Sequence, residues 1–115
     1  MHELKIIEEI FPLIESVAKE NHLKSINKVV LGIGELRQVK SEFLQFAFTN
    51  LAKNTIADGA ELIIELIPIT VFCQDCKKQF TVKENAYICP QCEGASLEIL
   101  TGKEVILESV DGESF

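Results

Sequence analysis

A chain of 115 residues with 47% hydrophobic and 25% charged side chains has the composition of one folded domain, with room for a small module inside it. Its formal charge of −7 argues against partners held by phosphate neutralisation, which need a basic patch, so no nucleic acid is expected. Apolar runs such as LIIELIPITVF are broken by Glu or Pro and are too short to span a bilayer. With no basic, cleavable opening segment in view, the expectation is a cytoplasmic protein with no membrane partner.

The chain opens MHELK. A backbone amine, the His2 amide nitrogen and the His2 imidazole follow one another so that a metal can close successive small chelate rings on them. Nitrogen-rich tetragonal sites suit nickel(II) or copper(II) better than zinc, and Glu3 could complete the shell. The bulk of His2 disfavours removal of Met1, which keeps the rings intact. The blander reading is a few solvated polar residues ahead of a helix, and an isolated MHE does not by itself decide between them.

Leu4, Ile7, Phe11, Ile14 and Val17 or Ala18 then recur at helical spacing with glutamates and Lys19 between them, which predicts an amphipathic helix over 3–20. Pro12 predicts a kink or an early irregular turn in it. NKVVLGIGEL, 27–36, reads as a strand with Val29, Leu31 and Ile33 on one face, its glycines allowing close helix packing. Ser41 is a candidate N-cap for a second helix, in which Phe43, Leu44, Ala47, Phe48 and Leu51 form a core stripe. ELIIELIP, 61–68, alternates Leu62, Ile64 and Leu66 against Glu61 and Glu65, with Pro68 at its end. KEVILES, 103–109, resumes a strand. The order is α-β-α-β, a cysteine module, then β. This is an α+β fold with two helices packed on a small three-stranded sheet and an inserted zinc-ribbon-like, rubredoxin-like module. Residues 1–70 plus 101–115 would form the α/β domain and 71–100 the zinc module.

The most specific motif is CQDC at 73–76 followed by CPQC at 89–92. In a reducing compartment such spacing reads as metal chemistry before disulfides. Each CxxC turn brings two sulfurs to one side, and Cys73, Cys76, Cys89 and Cys92 would fill a tetrahedral zinc shell with no open position, a structural site. The alternative is thioredoxin-like redox chemistry, which needs one CxxC at a strand-to-helix junction of a parallel sheet. A nucleic-acid-binding zinc ribbon is a further alternative, in which Phe72, Phe80 and Tyr87 would stack bases. Three lysines against Asp75, Glu84, Glu93 and Glu98 over 73–101 leave it no basic surface, and those rings suit the walls of a small core. A hydrolase using His2 or His22 with nearby glutamates has little support. His22 falls at a helix end, neither G-x-S-x-G nor H-E-x-x-H occurs, and Glu35 reads as a solvated strand end.

Taken in order, MHEL, VVLGIGEL, FAFTNLAKNTIADGAELIIE, the two CxxC pairs and GKEVILESV resemble the HypA/HybF family of nickel metallochaperones over essentially the whole chain. The resemblance implies that Met1 through its amine, His2 and Glu3 bind nickel as transferred cargo, and that Cys73, Cys76, Cys89 and Cys92 hold structural zinc. It implies delivery of nickel to the [NiFe]-hydrogenase large subunit with a HypB-like GTPase, urease maturation and its accessory proteins as a further outlet, no enzymatic activity, and a monomer or weak homodimer.

Overall fold

The computed structural model describes residues 3–83 and 87–115. The first helix, α1, runs Glu3–Glu20 and buries Ile6, Ile7, Ile10, Phe11, Ile14 and Ala18 along one stripe, the 3.6-residue pattern of the sequence made physical. It continues through Pro12 in place of the expected irregular turn. Pro12 lies on the exposed face with Glu8, so the Glu8 carbonyl that loses its N–H donor faces solvent rather than the core. At the other end Asn21 donates from its backbone and side chain to the Val17 carbonyl. His22, left-handed at φ 57°, then turns the chain out of the helix.

Strand β1 follows as Leu23–Gly34, longer than the sequence pattern predicts, with Ile26, Val29, Leu31 and Ile33 buried. A 3-10 turn, Glu35–Arg37, leads to α2, Ser41–Ala52. Lys40, extended, occupies the N-cap with no side-chain cap, so Ser41 does not play the capping role expected of it. The buried face of α2 is Leu44, Ala47, Phe48 and Ala52, and the Phe48 ring meets Phe11 of α1 at 6.0 Å between centroids and 56°. Phe43, expected in this stripe, is instead 52% exposed, in an open groove that it lines with Leu4 of α1.

Strands β2 (Glu61–Ile67) and β6 (Val105–Ser114) flank β1 in the order β2-β1-β6. Leu62 is buried, but the expected alternation fades and Leu66 is 62% exposed. Glu65 is the last β2 residue in the helical unit, and beyond it the chain enters the second one. That second sheet has the order β4-β3-β5, from β3 (Thr70–Cys73), β4 (Lys78–Thr81) and β5 (Leu97–Thr101). Both pairings are antiparallel, with Val71 opposite Phe80 on one side and Ile99 on the other. Its core is Ile69, Val71 and Val82, against which Leu36, Phe80 and Leu97 pack.

The chain forms two compact units, Met1–Gly32 with Val39–Glu65 and Ile106–Phe115, and Ile33–Gln38 with Leu66–Val105. The second reaches beyond residues 71–100 and takes in the end of β1. Gly34 explains how: its N–H donates to the Glu104 carbonyl at 2.8 Å, and a Cβ there would lie 2.1 Å from the Gly102 carbonyl oxygen. This glycine serves an approach of two backbones, where the sequence suggested helix packing.

Candidate metal centre and amino-terminal segment

Cys73 is the last residue of β3, and the chain then turns so that the Lys77 N–H donates to the Cys73 carbonyl at 2.8 Å, with Lys77 left-handed at φ 62°. The second CxxC repeats this shape: Glu93 N–H donates to the Cys89 carbonyl at 2.9 Å, with Glu93 at φ 58°. Each turn therefore aims its two sulfurs the same way. The turns are tied to their surroundings by Gln74 N–H to the Ser96 carbonyl and Cys89 N–H to the Gly94 carbonyl, both 2.9 Å. At Gly94 a Cβ would stand 2.6 Å from Asp75 Oδ2 and 3.3 Å from Cys92 Sγ, so a side chain there would have to displace the Asp75 carboxylate.

All four sulfurs lie within 4.8 Å of one another, with Cys73 to Cys92 and Cys76 to Cys89 each at 3.5 Å. Cys73 and Cys89 are buried, Cys76 is half-buried and Cys92 is exposed. Backbone N–H groups of Cys92 and Gln91 point at the Cys89 sulfur and hold its thiol down to about 6. The neighbouring Cys89 sulfur, with burial and the Cys73 thiol, pushes Cys76 up to about 12. Four thiols in this space cannot all ionise without a cation among them, and N–H donors onto sulfur are the outer contacts that tune a metal ligand. The donor set, mutual distance and closed shape fit a four-thiolate ion such as zinc. They give no support to a redox pair, because the CxxC turns join β-strands and no helix follows either one.

The other expected donors divide. Met1 and His2 lie outside the described residues. Glu3 opens α1 and is buried, at 5% exposure. One carboxylate oxygen, Oε2, accepts the Lys40 backbone N–H at 3.0 Å, a charge-assisted bond that fixes the start of α1 against the start of α2. Lys40 is the residue sequence reasoning missed here. A backbone donor 37 positions away leaves no mark in composition or spacing. Beside Glu3, an open apolar groove of about 510 Å³ is lined by Leu4, Phe43, Phe46, Ala47 and Asn50. The Lys40 ammonium stands 5.8 Å from the centre of the Phe43 ring.

Of the remaining candidates, His22 is exposed at its turn and Glu35 is exposed in the 3-10 turn. Phe80 packs on the small core of the cysteine unit, as expected for a wall rather than a base-stacking platform.

The family model described as "HypA: Hydrogenase/urease nickel incorporation, metallochaperone, hypA" matches residues 1–112. A hydrogenase maturation factor HypA of Aquifex aeolicus is 37% identical over 111 residues, covering 96% of each chain. That of a Picosynechococcus species is 38% identical, covering 96% of this chain and 98% of its own. The solution structure of the Ni metallochaperone HypA from Helicobacter pylori superposes with a TM-score of 0.72 at 26% identity, covering 100% of both chains.

Proposed function

From the premise that this chain belongs to the HypA family of nickel-incorporation metallochaperones, we propose that it binds Ni(II) at its amino terminus and delivers it during maturation of [NiFe]-hydrogenase, with urease as a further outlet. The Met1 amine, His2 and Glu3 are the cargo-binding residues. Cys73, Cys76, Cys89 and Cys92 hold a resident zinc ion whose role is to fold residues 71–100. Residues 1–70 with 101–115 are the nickel-binding domain. The protein acts in the cytoplasm, with a HypB-like GTPase and the hydrogenase large subunit as partners, and catalyses no reaction of its own.

The observation that carries the nickel reading is Glu3. A buried carboxylate is costly unless its oxygens are bonded, and here the Lys40 N–H meets one of them. The first turn of α1 is thereby fixed against the start of α2. Few donors at a chain end allow ligand exchange with a client, whereas four thiolates closed on one ion resist it. Amine and imidazole, with ordinary pKa values of about 7.7–8.0 and about 6.5, compete with protons for nickel, so affinity falls on acidification.

His2→Ala is expected to abolish nickel binding in a calorimetric titration while zinc content and helical circular dichroism stay unchanged. A chain extended by a few residues ahead of Met1 should fail in the same way. Undiminished nickel binding by either protein would overturn the amino-terminal site.

A further inference from the structure

The two edges of the β2-β1-β6 sheet are treated differently. On β2, the Gln45 side-chain amide of α2 donates to the Leu62 carbonyl, so part of that strand's hydrogen-bonding capacity is taken by a helix. The opposite edge is β6, ten residues long, and it pairs on one side alone, with β1. Among the described residues no further strand of this sheet pairs with its outer side. An edge of this length presents a row of unused N–H and C=O groups, the template that an added strand needs.

The sequence of the edge, VILESVDGES, says which strand. Proteins commonly guard such an edge with lysine or proline, and β6 has neither. Its exposed charges, Glu108, Asp111 and Glu113, all have one sign. A second copy offering the same edge would set acid against acid, which disfavours self-pairing. Across the sheet, a hydrogen bond with Glu65 of β2 and the charge of its carboxylate raise the pKa of Glu108 on β6 above its ordinary value. A further cation brought beside Glu108 relieves the repulsion between the two carboxylates. Ile106, 44% exposed, adds an apolar contact near the start of the edge.

We propose that the outer edge of β6 takes an extended, lysine- or arginine-bearing peptide segment as a fourth strand, pairing along residues 106–114 with a basic side chain set against Glu108. Backbone pairing supplies affinity, and the acids supply selection of the occupant. This surface is independent of the nickel ligands, so its failure would leave the delivery reading untouched.

The test uses the full zinc-loaded chain and a capped seven-residue peptide of alternating valine and lysine, followed by fluorescence anisotropy and amide hydrogen exchange. Saturable binding that slows exchange selectively in residues 106–114 is expected. The same peptide N-methylated at alternate residues, which keeps its charge and loses its donors, should bind at least about tenfold more weakly, as should a glutamate version. The E65Q/E108Q protein, altered at exposed positions, should bind the lysine peptide about fivefold more weakly or worse. Equal binding of the N-methylated peptide would show charge attraction alone and overturn the proposal. So would protection elsewhere, an unchanged affinity in E65Q/E108Q, or no binding at millimolar peptide in low salt.

Discussion

The cysteine unit and the helical unit solve the problem of holding a small fold in opposite ways. The cysteine unit has three buried apolar residues in its cluster, Ile69, Val71 and Val82, too few for a core that stands alone. Its order rests on four sulfurs gathered within 4.8 Å. The helical unit needs no such staple, because α1 and α2 bury eleven residues between them, counting Glu3. One region therefore keeps its metal donors locked by the requirements of folding. The other is held by apolar burial, so the donors proposed at its start are not what its packing rests on.

Removing the metal is the strongest way to break this contrast. Stripping the protein with a chelator, or replacing Cys89 with Ser, withdraws binding energy of roughly 10–16 kcal/mol for a structural zinc site. Hydrogen exchange should then lose protection throughout β3, β4 and β5, while the ellipticity of α1 and α2 persists. Helices that melt in step with the strands would show a single cooperative body instead.

Within the helical unit, a smaller effect separates two phenylalanines that the sequence presents alike. Phe48 is 1% exposed and Phe46 is 72% exposed. Phe48→Ala leaves a cavity against Phe11 and should cost about 3–5 kcal/mol in a urea titration. Phe46→Ala should stay within about 0.5 kcal/mol. Comparable losses at both would mean that α2 packs with a different face inward.

These positions also mark how far the sequence could be read. The α+β order, both helices, the strand cores at Val29, Leu31 and Leu62, and the grouping of the four cysteines follow from period and spacing, which are local signals. What escaped depends on neighbours distant in the chain. Phe43 reads as core because a helical repeat names a face without saying how far the neighbour covers it, and Phe43 lies in an open groove beside Leu4. Gly34 reads as a helix-packing glycine because nothing near it in sequence points to Gly102. Lys40, whose N–H meets Glu3, carries no motif at all, and Ser41 beside it has the side chain that suits a cap. Pro12 misled in the other direction, since its cost depends on whether the carbonyl it strands faces water.

The smallest expected effect lies where the helical unit carries its own unrelieved charge. Sharing a hydrogen bond with Glu65, together with partial burial and the repulsion of that second carboxylate, raises the pKa of Glu108 above its ordinary value of 4.5. A group whose folded-state pKa is raised adds stability below its unfolded pKa and loses that contribution as pH climbs through the folded value. The pair therefore stabilises the sheet in acid, where one of the two carboxyls is protonated, and this contribution is lost as the pH rises from about 4.5 through the higher folded value. Glu108→Gln keeps the hydrogen bond without the second charge. Urea midpoints measured from pH 4 to pH 7 should fall less steeply for this variant than for the native chain, with the variant the more stable of the two at pH 7. Parallel curves would mean that the two carboxylates do not interact across β1, and the edge would then lack the charge pairing by which it selects a basic strand.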